Sequence, residues 1–120
     1  MFPEKIEILG RHWKVIVQES LTNPHNGQLV HGYCCTETKA IYLNKDKKEE
    51  MEDTLLHEIG HAVCSEACLH YVHGWSPDLE EILVEQYAKT FRSLKNQGAI
   101  TLVFKKGKVT KSPKPRGSKR

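Results

Sequence analysis

No stretch of this chain approaches the ~18 consecutive apolar residues of a membrane-spanning helix. Its opening, Met1-Phe2-Pro3-Glu4-Lys5, lacks the basic segment followed by an apolar core that marks a secretory signal. A monomeric protein kept in the cytoplasm is expected. Cysteine is scarce, at four residues in 120, and the spacing of Cys34, Cys35, Cys64 and Cys68 matches no zinc ribbon or finger. In a reducing compartment they read as thiols packed as small apolar groups. Two sharper readings stand beside that one, a second structural zinc site or a disulfide, because Cys34-Cys35 is adjacent and Cys64 and Cys68 are one helical turn apart.

Residues 105–120 contain no acidic and no aromatic side chain. They are basic, rich in Pro and Gly, and without apolar periodicity, so a disordered tail is expected there. Its charge turns an otherwise acidic body into a protein of net charge +3. Weak, salt-sensitive contact with nucleic acid is one use of such a tail and solubility another. The missing aromatics argue against single-strand binding by base stacking. With 38% hydrophobic residues, positions 1–104 suffice for one domain with a core, and a shallow cleft rather than a deep pocket is expected.

The amino-terminal third reads as strands. Lys5 to Leu9 and Trp13 to Val17 alternate apolar and polar residues around Gly10-Arg11, the signature of a hairpin. Asn23-Pro24-His25-Asn26-Gly27 is turn-rich, and Leu29 to Cys35 and Lys39 to Leu43 form a second pair around Thr36-Glu37-Thr38. Ala99 to Phe104 has the length and composition of one further short strand. A three- or four-stranded antiparallel sheet packed on helices, an α+β fold, is the expectation.

The chemistry lies in His57-Glu58-Ile59-Gly60-His61. Two imidazoles four residues apart on a helix point the same way and can grip one metal ion. The glutamate between them is then placed as the base that deprotonates an activated water, the core of a zinc metallopeptidase. Glu49, Glu50, Glu52 and Asp53 precede the motif as a favourable first turn, and Leu55, Leu56, Ile59, Ala62, Val63 and Ala67 recur at helical spacing, predicting a helix over 49–68. Thr54, His57, His61, Cys64 and Cys68 make a second stripe. Gly60 costs about 1 kcal/mol relative to Ala in a helix, which implies that something packs close to the backbone there. A catalytic zinc site takes a third protein ligand. Ser76-Pro77-Asp78 reads as the start of a second helix ending near Gln97 before Gly98, with Val84, Tyr87, Ala88, Phe91 and Leu94 as its buried stripe. Glu80, Glu81 and Glu85 lie on or beside that stripe, where a carboxylate is costly unless paired or bound to metal.

The string Thr54-Leu55-Leu56-His57-Glu58-Ile59-Gly60-His61-Ala62-Val63, followed by Glu81-Ile82-Leu83-Val84-Glu85-Gln86-Tyr87-Ala88 and then Phe91 and Leu94, resembles the small phage and mobile-element zinc metallopeptidases. These are minimal gluzincins, distantly similar to thermolysin and the ImmA/IrrE-like peptidases. Gly32-Tyr33-Cys34-Cys35 and Ala40-Ile41-Tyr42-Leu43 are similar to that family's strands before the active-site helix. The resemblance covers Lys5 to Gln97 and implies a zincin-like fold, one catalytic zinc ion, and cytoplasmic residence in a host cell. It implies Glu81 as third ligand, with Glu85 orienting a histidine ligand through its second ring nitrogen. It also implies an edge strand that holds substrate by main-chain hydrogen bonds, for which Ala40 to Asn44 is the candidate. The ImmA/IrrE-like pattern instead fits Glu85, Ala88 and Phe91, so Glu85 and Glu80 remain alternatives. His73, in a His-Gly context, is the alternative that the SprT-like proteases acting on DNA-bound proteins suggest. His70 is a candidate for touching substrate, whereas His12, His25 and His31 lack metal-ligand spacing and are given structural roles. A catalytically silent zincin-like binding or regulatory module is the competing class.

Overall fold

The computed structural model describes residues 2–99, and the expected strand reaching Phe104 and the basic tail at 105–120 lie outside the described residues. Four strands, β1 (Lys5–Ile8), β2 (Arg11–Gln18), β3 (Gly32–Cys35) and β4 (Ala40–Asn44), precede two helices, α1 (Met51–Glu66) and α2 (Pro77–Asn96). The chain is a small α+β domain. Its sheet order is β1-β2-β4-β3. β1 pairs antiparallel with β2, and β3 antiparallel with β4, but β2 and β4 run parallel. The sheet is therefore mixed, not antiparallel throughout.

That pairing also corrects the expected edge. β4 lies inside the sheet and β3 forms its border. The reason is legible in the side chains: Ala40, Ile41, Leu43 and Asn44 are all buried, so both faces of β4 are covered. Near-continuous apolar character is the mark of such an interior strand. β3, by contrast, is only half-buried along its length.

The core joins one sheet face to α1 through Ile8, Trp13, Val15, Ile41, Leu43, Met51, Leu55 and Ala62. A 3-10 helix, Lys45–Glu50, delivers the chain into α1, so Glu49 and Glu50 precede the helix, and Glu52 and Asp53 occupy its first turn. At the far end the Glu66 carboxylate accepts hydrogen bonds from the Trp13 indole at 2.8 Å and the Lys39 ammonium at 2.8 Å, tying the last turn of α1 to β2 and to the turn that leads into β4. The Lys39 bond, supported by that of Trp13 against a smaller opposing effect of burial, holds the Glu66 carboxyl below its ordinary value. A depressed carboxyl pKa stabilises the fold above the unfolded-state value of about 4.3, and that contribution disappears as pH falls through the folded-state value. Urea midpoints of wild type and Glu66→Gln should therefore differ at pH 7 and converge as the solution is acidified below about pH 4.

α2 begins as expected. The Ser76 hydroxyl accepts from the Leu79 N–H at 3.1 Å, with Pro77 in the first turn. Its carboxyl end is closed by bonds from Gly98 N–H to the Lys95 carbonyl and from Ala99 N–H to the Leu94 carbonyl. It packs mainly on α1, which is why its buried set is narrower than the apolar stripe implies. Val84 and Ala88 are buried, while Tyr87 and Phe91 stay 46% and 43% exposed.

Gly60 marks the crossing. A Cβ there would sit 2.9 Å from Val84 Cγ1 and 3.1 Å from Cγ2, and Val84 is fully buried and β-branched, with nowhere to turn. Gly60→Ala therefore gains about 1 kcal/mol of helix propensity but meets an overpacking cost of roughly 1–3 kcal/mol. A net loss in chemical denaturation is expected, relieved when Val84→Ala is added.

Candidate metal centre

His57 and His61 project from one face of α1, their ring centroids 5.0 Å apart, toward the first two turns of α2. The Gly60–Val84 contact brings that helix in. Glu81 reaches back between the rings: its Oε1 is 3.2 Å from His57 Nε2 and its Oε2 is 3.0 Å from His61 Nε2. His57, His61 and Glu81 thus form a group that can hold a metal ion. One ligand atom from each lies within 4.8 Å of the others, and tetrahedral ligands about 2.0–2.2 Å from a zinc ion lie about 3.3 Å from one another, so a modest closure of the side chains brings the set to that spacing.

The other ring nitrogens also face carboxylates. His57 Nδ1 lies 3.1 Å from Glu85 Oε1, and His61 Nδ1 lies 2.6 Å from Glu80 Oε2. Ionised carboxylates only accept, so each Nδ1 is placed to donate to the carboxylate behind it, and a neutral ring oriented in that way offers its Nε2 lone pair to a metal ion. Two imidazoles and a carboxylate thus face one another, an arrangement that positive charge stabilises, whether a metal ion or ring protons supply it.

Glu80 does more than the sequence suggests. Besides His61 it accepts from His70 Nε2 at 2.9 Å and Trp75 Nε1 at 3.1 Å, and its side chain is only 13% exposed. Burial pushes its pKa up, but the bonds from His61, Trp75 and His70 outweigh that and hold it below the ordinary carboxylate value. His61 shows the reciprocal effect: burial pulls it down, while the Glu80 bond and the nearby Glu58 and Glu81 carboxylates bring it out raised. Glu80 is therefore not beside Glu81 as a ligand. It fastens His61 to the inter-helix loop. The sequence signal available was its place next to Glu81 in the first turn of a capped helix, where one carboxylate faces the histidines and its neighbour reaches behind them. His73 is exposed in the loop and outside the cluster. His31, given a structural role above, instead pairs with Glu50 at 3.4 Å and lines the cleft.

Glu58 stands apart from all of these. It is 8% exposed, and among the described residues no donor lies within hydrogen-bonding distance of it. Burial raises its pKa above the ordinary value, against the opposing pull of His61 and His57. It borders two open lobes of about 400 and 360 Å³ that meet at Gly32, His57 and Glu58. The border strand β3 forms their wall. A Cβ on Gly32 would lie 2.6 Å from both Thr54 Cγ2 and the Tyr42 carbonyl oxygen, so only glycine lets the strand approach α1 this closely beside Glu58.

No family model matches the chain, and no curated protein or solved structure matches it.

All four cysteines are unpaired thiols, and none joins a metal-holding group among the described residues. Cys34 lines the cleft. Burial first, then the Glu58 carboxylate, pushes its thiol up to about 12, whereas hydrogen bonding with Thr38 lowers Cys35. Adjacent residues should thus react unequally with iodoacetamide at pH 8. Cys35 should label in minutes, and Cys34, with a thiolate fraction of about 10⁻⁴, should remain unmodified over the same period when followed by peptide mass mapping.

Proposed function

We propose that the chain is a zinc-dependent metallopeptidase of zincin-like arrangement, with His57, His61 and Glu81 as ligands and Glu58 as general base. The observation that carries the reading is Glu58: a buried carboxylate with no donor among the described residues is costly to the fold, and it borders the cleft beside two imidazoles whose Nδ1 atoms face Glu85 and Glu80, which favours the tautomer that leaves Nε2 for a metal. When bound, a zinc ion would supply Lewis-acid polarisation of a carbonyl and bring the pKa of a water near neutrality. The remaining steps belong to the protein. Glu58 takes a proton from the attacking water and returns it to the departing amine, for which its raised pKa suits it. Glu85 and Glu80 keep the imidazoles from turning. β3 offers the main-chain groups of its open side to a peptide laid alongside it, as strand addition requires.

Glu81 rather than His73 beside the histidines favours this over a SprT-like protease acting on DNA-bound proteins. The proposed resident of the cleft is a peptide, and the cytoplasm remains the proposed location. Among the described residues no helix is long and apolar enough to cross a membrane. The test is a mixed peptide library incubated with zinc-loaded protein and read by mass spectrometry. Defined cleavage products that vanish with a chelator and return with zinc are expected. Stoichiometric zinc with no cleavage of any peptide would instead indicate a silent binding module.

A further inference from the structure

Helix α2 is packed on one side only. Of the other elements α1 alone packs closely on it, against Val84 and Ala88. The adjoining flank carries Leu79, Leu83, Tyr87, Phe91 and Leu94, which at about 100° per residue fill an arc of about 120°. Leu79, Tyr87 and Phe91 are exposed there, and Leu83 and Leu94 are half-buried. An unbroken stripe of five large apolar side chains along a helix is a surface built to be covered, and the described residues leave it open.

The chain itself supplies an occupant of matching length. At the end of α2, Gly98 adopts a φ of +78°, and the N–H groups of Gly98 and Ala99 return to the carbonyls of Lys95 and Leu94. This closure turns the chain back and commonly sets the residue after the glycine against the one whose carbonyl it caps. Here those residues are Ala99 and Leu94, the last member of the stripe. The sequence continues as Ile100-Thr101-Leu102-Val103-Phe104, in which Ile100, Leu102 and Phe104 share one face of an extended segment. At about 3.3 Å per residue that segment spans about 17 Å, and the rise along α2 from Leu83 to Leu94 is also about 17 Å. Its apolar character stops at Lys105-Lys106, where a returning chain would run out of stripe. We propose that residues 100–104 lie back along α2 as an extended strap, with Ile100, Leu102 and Phe104 covering Leu94, Phe91, Tyr87 and Leu83. The tether favours this occupant over a second copy of the chain, because a segment joined directly to the end of the stripe meets it at an effective concentration of about millimolar or more. The basic run from Lys105 onward then begins near the level of Glu81 instead of at the far end of α2.

The test is an NMR measurement on the isotopically labelled full chain. Nuclear Overhauser contacts from the Ile100 and Leu102 methyl groups to the Tyr87 and Phe91 rings are expected, with the Leu102 methyls shifted upfield by those rings, and neither should change on dilution. Leu102→Ser, a change beyond the end of α2, should abolish the contacts and move the Tyr87 and Phe91 ring resonances while the contacts of the Val84 methyls with α1 stay as they were. Methyl resonances of residues 100–104 at the positions of an unstructured peptide would overturn the proposal. So would contacts that arise only between differently labelled copies in a mixed sample, because a second copy would then be the occupant.

Discussion

Replacing Glu58 with glutamine is expected to leave zinc content unchanged and to lower peptide hydrolysis by about 10²- to 10⁴-fold, the range that one positioned proton-transfer group supplies. The substitution keeps the side chain's volume and removes its basicity. It should also stabilise the metal-free protein. Glu58 is only 8% exposed and accepts no hydrogen bond from the described residues, so the wild-type chain carries a desolvation cost that the neutral amide reduces. Opposite signs for stability and activity at one position are what a group retained for chemistry produces. Activity and urea midpoint measured on the same preparations check both halves, and a fully active Gln variant would remove Glu58 from the mechanism.

Loss of a ligand has the next largest effect. His61→Ala is expected to abolish zinc retention through dialysis and, with it, the rise in melting temperature that zinc gives the wild-type protein by binding only the folded state. The carboxylates behind the ligands should rank by geometry. Glu80 is 13% exposed and meets His61 at 2.6 Å, whereas Glu85 is 53% exposed and meets His57 at 3.1 Å. Glu80→Gln should therefore weaken zinc affinity by about 10- to 100-fold, since its amide N–H₂ must face one of three N–H donors. Glu85→Gln, open to water that can replace the lost bond, should cost less. Competition with a chromophoric chelator reads both constants, and an equal or reversed ranking would show that Glu80 does not hold His61.

What was legible in the residues followed from local rules. The paired histidines, the Ser76 cap, the close packing at Gly60 and the four strand segments each depend on neighbours within a turn or a hairpin. Non-local pairing was less legible. Ala40 to Asn44 reads equally as an edge or an interior strand until it is known that β4 enters parallel to β2, a choice made by burial on both faces. Tyr87 and Phe91 extend the apolar stripe of α2, yet only Val84 and Ala88 reach α1, because periodicity reports a face and not what lies against it. Among the acids, spacing placed Glu81 and Glu85 one turn apart. The role of Glu80 depended on where the loop carrying His70 and Trp75 would come to rest.

The central claim is that one divalent cation is held by His57, His61 and Glu81 between the two helices. Zinc-exposed protein, dialysed against metal-free buffer and analysed for metal per chain, tests it most directly. One zinc per wild-type and per Glu58→Gln chain, and none for His61→Ala or His57→Ala, is the predicted result. Wild-type protein that emerges without zinc, or a His61→Ala chain that keeps it, would contradict the account.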